Sequence, residues 1–197
     1  MKSLKMSKTI IWLILYFPVM ILTNSCNTSN SPSDSKSDLI SESSITTPDV
    51  PINTAVITGN IEAIKQHIKA KTNINEKEAM SGSTPLITAA TFGKNDIAKL
   101  LIDAGANLSI QNNDGSTALH CAAFFCRIEI VQMLMDAHAD MSIKNNFGAT
   151  PRESVMGPFP SIKPIYIMLQ EQLSPIGLKI DLNEIEKTRP VISNMLQ

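Results

Sequence analysis

The sequence carries almost no net charge. Its 17 basic and 18 acidic residues give a formal net charge of −1, and the sequence pI is near 6.3. Nucleic-acid-binding domains are normally basic, with a pI above about 9 or a clustered basic face. The composition therefore excludes a global basic field that would attract nucleic acid.

Motifs of the common catalytic sites are also missing. No Gly-x-Ser-x-Gly occurs, and no glycine-rich loop precedes a Lys-Ser or Lys-Thr pair, so a nucleophile elbow and a phosphate-binding loop are both absent. Carboxylates such as Asp96 and Glu129 stand at predicted helix starts, where the helix dipole favours negative charge. The sequence predicts that the protein is not an enzyme.

Cysteine is scarce, and its three copies stand at positions 26, 121 and 126. A cysteine pair in an oxidising compartment can form a disulfide, but Cys121 lies inside a predicted helix and Cys126 at its end. Their Cα atoms would be about 8 Å apart on a regular helix, beyond the range of a disulfide. We expect two free thiols, unless the chain folds back at Cys126.

What the chain does contain is a sequence repeat of constant period. Similar stretches begin at Thr84 (TPLITAA), Thr117 (TALHCAA) and Thr150 (TPR). A fixed period of about 33 residues is typical of stacked two-helix units that bury their apolar faces against each other. The period predicts a repeat array, and hence a binding scaffold.

Each position of the repeated motif has a physical role. The threonine hydroxyl caps a helix, and proline at the next position begins that helix without losing a hydrogen bond. A glycine stands two residues before each threonine, where a tight turn needs positive φ. A second helix follows in residues 95–102 and 128–135, apolar at helical spacing, and Gly105 ends the first of these.

The motif resembles the ankyrin repeat, most closely in residues 115–140, which read GSTALHCAA and then EIV and AD. The resemblance covers roughly residues 48 to 170. It implies an all-α solenoid of about four ankyrin repeats joined by β-turn or hairpin loops, with boundaries near 48–78, 79–111, 112–144 and 145–170. The first and last repeats are degenerate, as expected of caps that have one face in water.

The last repeat departs furthest from the pattern. Arg152 stands where leucine is expected, and the segment GPFP at residues 157–160 interrupts the helix that follows. We expect the helical signal to resume with Ser161 as the N-cap. Residues 171–197 form a tail that is too short to classify, and its packing as a C-terminal cap stays open.

The N-terminus is interpreted as an export signal, residues 1–25. Lys2, Lys5 and Lys8 precede an apolar run that continues without interruption over positions 10–22. A membrane-spanning helix needs about 20 apolar residues, whereas the apolar core of a secretory signal needs about 7–15. The run is too short for the first and fits the second, so its length favours an export signal.

The apolar run ends in LTNSC, which resembles the lipobox of bacterial lipoproteins, where the cysteine is lipidated and becomes the new N-terminus. Ser25 fits that pattern, whereas Thr23 replaces the usual aliphatic residue. Residues 27–47 contain eight serines and no aromatic residue, a composition typical of a flexible tether. We predict lipidation of Cys26, a flexible linker over residues 26–47, and a membrane-anchored location in a bacterial cell envelope or periplasm. An ordinary signal peptide with an incidental cysteine is the alternative.

Four residues are candidates for a metal site: His120, Cys121, Cys126 and His138. The resemblance assigns His120 to the ankyrin histidine, near Thr117, and Cys121 to a variable position of the same helix. Cys126 and His138 stand where the family has glycine, so His138 is expected to adopt the left-handed conformation at about 1 kcal/mol. We therefore predict no metal and no cofactor.

Five phenylalanines follow the signal, and the resemblance places four of them at exposed positions near the concave surface of the ankyrin family. Exposed aromatic side chains are natural anchors for a partner. We expect Phe124 and Phe147 to bind, whereas Phe92 and Phe125 suit binding and packing equally. The resemblance also places several residues at the tips of the hairpin loops. Together with the phenylalanines, the predicted partner-binding set is Met80, Ser81, Ser83, Phe92, Asn113, Asp114, Ser116, Phe124, Phe125, Asn146 and Phe147.

These features predict an exported, monomeric ankyrin-repeat lipoprotein that recognises a protein partner without catalysis. One alternative is a soluble secreted effector that acts on proteins of another cell. A second alternative, from a different class, is a redox- or metal-responsive protein that uses Cys121 and Cys126.

Overall fold

The computed structural model describes residues 48–197. The predicted signal, the lipidation residue Cys26 and the linker to residue 47 lie outside the described residues. Within residues 48–197 the chain forms nine α-helices and one 3-10 turn at Ser174–Ile176, with no strand. The helices are α1 (Ile52–Thr58), α2 (Ile61–Lys69), α3 (Pro85–Phe92), α4 (Asn95–Asp103), α5 (Ala118–Phe124), α6 (Ile128–Asp136), α7 (Glu153–Met156), α8 (Phe159–Leu173) and α9 (Leu182–Met195).

The first helix of each central repeat begins at its threonine, as predicted. The Thr84 side chain accepts a hydrogen bond from the backbone N–H of Ile87, and the Thr117 side chain accepts one from His120. The alanine pairs that follow, at 89–90 and 122–123, are completely buried. Side chains this small let neighbouring first helices approach closely, so the helices can stack.

The helices form two layers, which confirms the predicted all-α solenoid. α1, α3, α5 and α7 stack on one another, and α2, α4 and α6 form the second layer. Each second helix buries its apolar face, for example Ile97 and Leu101 in α4 and Ile130 and Leu134 in α6. Burying one such side chain contributes about 1.5–3 kcal/mol, and because the contacts cross between repeats, each repeat depends on its neighbours.

The turn after each second helix contains a left-handed residue. Gly105 has φ 81° after α4, and His138 has φ 59° at the equivalent place after α6. The predicted left-handed conformation of His138 is therefore confirmed. Cys126 also adopts positive φ, at 54°, in the turn between α5 and α6.

The C-terminal region does not complete a regular fourth repeat. α7 is a short helix of 4 residues, and α8 begins at Phe159 after Pro158. The prediction that Ser161 caps this helix is wrong, because Ser161 lies inside the first turn. Prolines at 158 and 160 are compatible with the helix start, since the first N–H groups of a helix have no intrahelical partner.

The tail closes the end of the stack through α9. α9 packs against α7 and α5, and its Ile192 and the adjoining Leu196 join the core. Arg152, which replaces the expected leucine, donates from Nε to the carbonyl oxygen of Ser193 at 3.1 Å. The unusual arginine therefore connects the last repeat to α9.

Each helix within residues 48–197 is too short or too polar to span a lipid bilayer.

Candidate partner-binding surface

Three hairpin turns project from the stack, and a side-chain oxygen organises each one. The Glu78 carboxylate accepts from the N–H groups of Met80 at 2.9 Å and Ser81 at 2.7 Å. In the second turn Asn112 Oδ1 accepts from the N–H groups of Asp114 and Ser116. Asn145 Oδ1 has the same role in the third turn, where it accepts from Phe147 and Ala149.

Hydrogen bonds join the three tips into one row. The N–H of Asn113 donates to Ser81 O at 2.9 Å, and its Nδ2 donates to Met80 O at 2.8 Å. Asn146 repeats both bonds one repeat later, from N to Asp114 O at 2.9 Å and from Nδ2 to Asn113 O at 2.9 Å. We call this row of four hydrogen bonds the tip ladder; it brings five of the predicted site residues to one edge.

The tip ladder uses hydrogen-bonding groups that would otherwise be available to a partner. The Nδ2 groups of Asn113 and Asn146 are already engaged, so these asparagines hold the tips together. Large apolar side chains stand at both ends of the ladder: Met80 is 64% exposed and Phe147 is 65% exposed. Ser83 and Ser116 stand at the bases of their turns and are half-buried, whereas Asp114 is exposed.

Glu78 closes the N-terminal end of the tip ladder. Partial burial opposes ionisation of its carboxyl, but hydrogen bonds from Met80 N, Ser81 N and the Ser81 hydroxyl outweigh this, and the pKa of Glu78 is lowered. A carboxyl with a lowered pKa in the folded state stabilises the fold above its ordinary pKa. This contribution is lost as the pH falls through the lowered value.

The phenylalanine side chains at the end of α5 are less exposed than the sequence predicted. Phe125 is only 7% exposed, and Phe124 is half-buried. The Phe124 ring meets the Phe125 ring edge-on, with centroids 5.2 Å apart, and stacks on Tyr166 of α8 at 4.6 Å. The expectation that Phe124 is exposed is therefore wrong, because Tyr166 of α8 covers one face of its ring. Phe92, at the end of α3, is half-buried.

The His120 ring is a structural group. Its Nδ1 lies 2.9 Å from the Thr117 hydroxyl and accepts from Thr117 N at 3.2 Å, and its Nε2 lies 3.1 Å from Ala149 O. Burial lowers the pKa of His120, although the carbonyl groups of Ala149 and Ile143 act in the opposite direction. His120 therefore lies beside Thr117, as the resemblance implied, and its ring also links two repeats.

The two described cysteines are free thiols. Burial raises the pKa of Cys121 to about 12 and the pKa of Cys126 to about 11, so both thiols are protonated at neutral pH. A redox-active cysteine needs the opposite, a thiolate favoured by its surroundings. Among residues 48–197, no three His, Cys, Asp or Glu side chains are grouped so that they could hold a metal ion.

The contact between the side chains of Tyr166 and Arg189 was not predicted from the sequence. Tyr166 is completely buried, Arg189 is 3% exposed, and the two side chains are hydrogen-bonded. Both residues lie beyond the last regular repeat, where the repeat frame assigns no position to a side chain. A tyrosine in a segment with several apolar neighbours was the one signal available.

The solenoid and its row of tips define a class of binding scaffold, and comparison with known proteins agrees. Residues 52–145 match the family model described as ankyrin repeats, in three copies. Among solved structures, the ankyrin repeat domain of Bcl-3, a member of the IkappaB protein family, is similar with a TM-score of 0.51 and 31% identity. That match covers 52% of this chain and 45% of the other. Residues 52–145 are therefore ankyrin repeats.

Curated relatives match over shorter stretches. The chain is 36% identical over 58 residues to Dauer abnormal formation protein 25 of Caenorhabditis elegans, across 29% of this chain and 15% of that protein. It is 38% identical over 63 residues to protein phosphatase 1 regulatory subunit 27 of Homo sapiens, across 32% of this chain and 40% of the relative. The chain thus matches less than half the length of either relative.

Proposed function

We propose that this protein recognises a protein partner through the edge formed by the tip ladder, without catalysing a reaction. The observation that carries the proposal is the pair of exposed apolar side chains, Met80 and Phe147, held on a hydrogen-bonded row of polar turns. Aromatic residues with polar surroundings are typical anchors of protein interfaces. One of the relatives is described as a regulatory subunit, which is compatible with a role that acts through another protein.

The tip ladder supports recognition because it fixes the anchors before binding. A mobile loop loses conformational freedom when it binds, which reduces affinity. Here Asn113 and Asn146 each bond to the preceding tip twice, so the tips are ordered in the free protein. Phe147 therefore presents its ring at low entropic cost.

Replacing Phe147 by alanine tests this surface. We expect capture of the partner by crosslinking in the native envelope to fall about fivefold or more, because truncating an interface anchor commonly costs over about 1 kcal/mol. The melting temperature should change by less than about 2 °C, since the ring is mostly solvent-exposed.

Ile128→Ala is the matched control, because Ile128 is an exposed apolar residue on α6, in the other layer of helices. Its capture yield should equal that of the wild type. Undiminished capture by Phe147→Ala would rule out this part of the edge, and a loss of several kcal/mol of stability would mean that Phe147 packs within the fold.

We also propose that the protein is exported and anchored by lipid on Cys26, with residues 27–47 as a tether. The support is the order of the sequence signals: basic residues, a short apolar run, Ser25-Cys26 and a serine-rich segment. Acyl chains bury about 0.8 kcal/mol per methylene, and more than one chain gives stable attachment. A soluble exported effector is the alternative, favoured by Thr23 at an unusual lipobox position.

Cys26→Ala separates these two forms. In a detergent phase-partition assay, the wild-type protein should enter the detergent phase and the variant the aqueous phase, because the acyl chains alone supply the affinity for detergent. Cys121→Ala is the control and should partition as the wild type does. If both cysteine variants and the wild type stay in the aqueous phase, the lipid anchor is wrong and the soluble form stands.

A further inference from the structure

Helix α8 contributes one fully buried side chain to the fold, and its other apolar residues are half-buried or exposed. Of its 15 residues, only Tyr166 is buried. The helix is flanked by Gly157 on one side and by Gly177, with φ 98°, on the other. Regions with few buried apolar contacts open at low free energy, so α8 is the part of the described chain best suited to lift from the surface.

Tyr166 makes contacts that resemble those of a bound ligand. Its ring stacks on Phe124 at a centroid distance of 4.6 Å and an interplanar angle of 25°. Its hydroxyl donates to the carbonyl oxygen of Phe124 at 2.6 Å and accepts from Nη1 of Arg189 at 3.1 Å. Burial raises the pKa of Tyr166 to about 12, although Arg189 acts in the opposite direction, so the hydroxyl keeps its proton for Phe124.

Two arginines, Arg127 and Arg189, lie near Cys126 at the end of α5. Arg127 donates to the carbonyl groups of Thr91 and Lys179, both at 3.3 Å, while its buried Nε has no hydrogen-bond partner. Arg189 donates from Nη2 to Gly157 O at 3.0 Å. The ion pairs found within residues 48–197 involve neither arginine. Burying a charge without a counter-charge is costly, which weakens the closed arrangement of this region.

We propose that the ring and carbonyl of Phe124 form a second docking site for a partner, one that receives a tyrosine side chain, and that Tyr166 fills it until the partner displaces α8. The contacts of Tyr166 specify the occupant. It needs an aromatic ring that can stack on Phe124 and a hydroxyl that can both donate and accept a hydrogen bond. The site lies at the end of α5. That a partner protein occupies it rests on the proposed function, the recognition of a protein partner.

Hydrogen exchange on the full chain tests the displacement of α8. In the wild type, the amides of α8 should exchange at least 100-fold faster than those of α3 and α5, because α8 opens without global unfolding. Tyr166→Ala should raise exchange a further tenfold or more in α8 and at Phe125, with α3 and α4 unchanged. Tyr166→Phe keeps the ring and should give a smaller increase.

A small probe then tests the chemistry of the site. 4-Methylphenol is the tyrosine side chain without its backbone, and in the Tyr166→Ala chain it should restore at least half of the lost protection at Phe125. Toluene lacks the hydroxyl and should restore clearly less. Neither compound should change exchange in the wild type, where Tyr166 fills the site.

Three results would overturn the proposal. They are exchange of wild-type α8 as slow as the core, loosening of the whole stack by Tyr166→Ala, and no protection by 4-methylphenol. None of these measurements requires a partner, so they succeed or fail independently of the Phe147 experiment.

Discussion

Replacing Gly115 by alanine is expected to lower the free energy of unfolding by about 3 kcal/mol, whereas the same change at Gly148 should cost about 1 kcal/mol. Both glycines have positive φ, 72° and 77°, so both variants bear the penalty of a left-handed alanine. Only at Gly115 would the new Cβ also collide, at 2.7 Å from Asn146 N and 2.5 Å from Asn146 Oδ1. Near Gly148 no atom lies within 4 Å of that position.

Urea denaturation of the two variants measures the difference directly. The clash should also displace Asn146 from the tip ladder, so exchange of the Asn146 amide should accelerate in Gly115→Ala and stay unchanged in Gly148→Ala. Equal losses of stability in the two variants would mean that the tip ladder rearranges around the new Cβ at no cost in free energy. The tips would then be less rigid than their hydrogen bonds indicate.

Replacing His120 by alanine is expected to cost about 3 kcal/mol of stability, because it removes a buried ring and leaves buried polar groups unpaired. The ring is 2% exposed and contacts Thr117 and Ala149. Glu153 is the matched control, since it caps Thr150 in the equivalent position of the next repeat but is exposed. Glu153→Ala should barely change the denaturation midpoint.

The same residue predicts a pH dependence. The pKa of His120 is lowered in the folded state, so the unfolded chain binds a proton first as the pH falls below about 6.5. The contribution of His120 to stability should therefore be constant above that pH and should decrease between it and the lowered folded value. Denaturation curves of the wild type and the His120 variant between pH 7.5 and pH 5 should converge. Parallel curves would show that His120 titrates normally.

The sequence predicted the central repeats well because their structure is local. Thr84 and Thr117 cap helices, and the left-handed conformation of His138 follows from its alignment with Gly105. Each of these positions is determined by residues within one repeat or at the same place in the next. A constant period carries that information directly.

The C-terminal region was predicted poorly because its contacts are not periodic. Tyr166 meets Phe124 across 42 positions of the chain, and Arg152 meets Ser193 across 41. Repeat spacing places no side chain there, and Phe124 consequently was expected to be exposed. Met80 and Phe147 are exposed, as their place in a turn predicted, and their role in binding stays a prediction.

The tip ladder is directional, since each bond in it runs from a later turn to the preceding one. Order in the second turn thus depends on acceptors supplied by the first, and order in the third on acceptors supplied by the second. Because Glu78 fixes the first turn, acidification that neutralises this one carboxylate would loosen the row from its beginning. A disturbance at the first turn would then reach Phe147, the anchor at the opposite end, two repeats further along the chain.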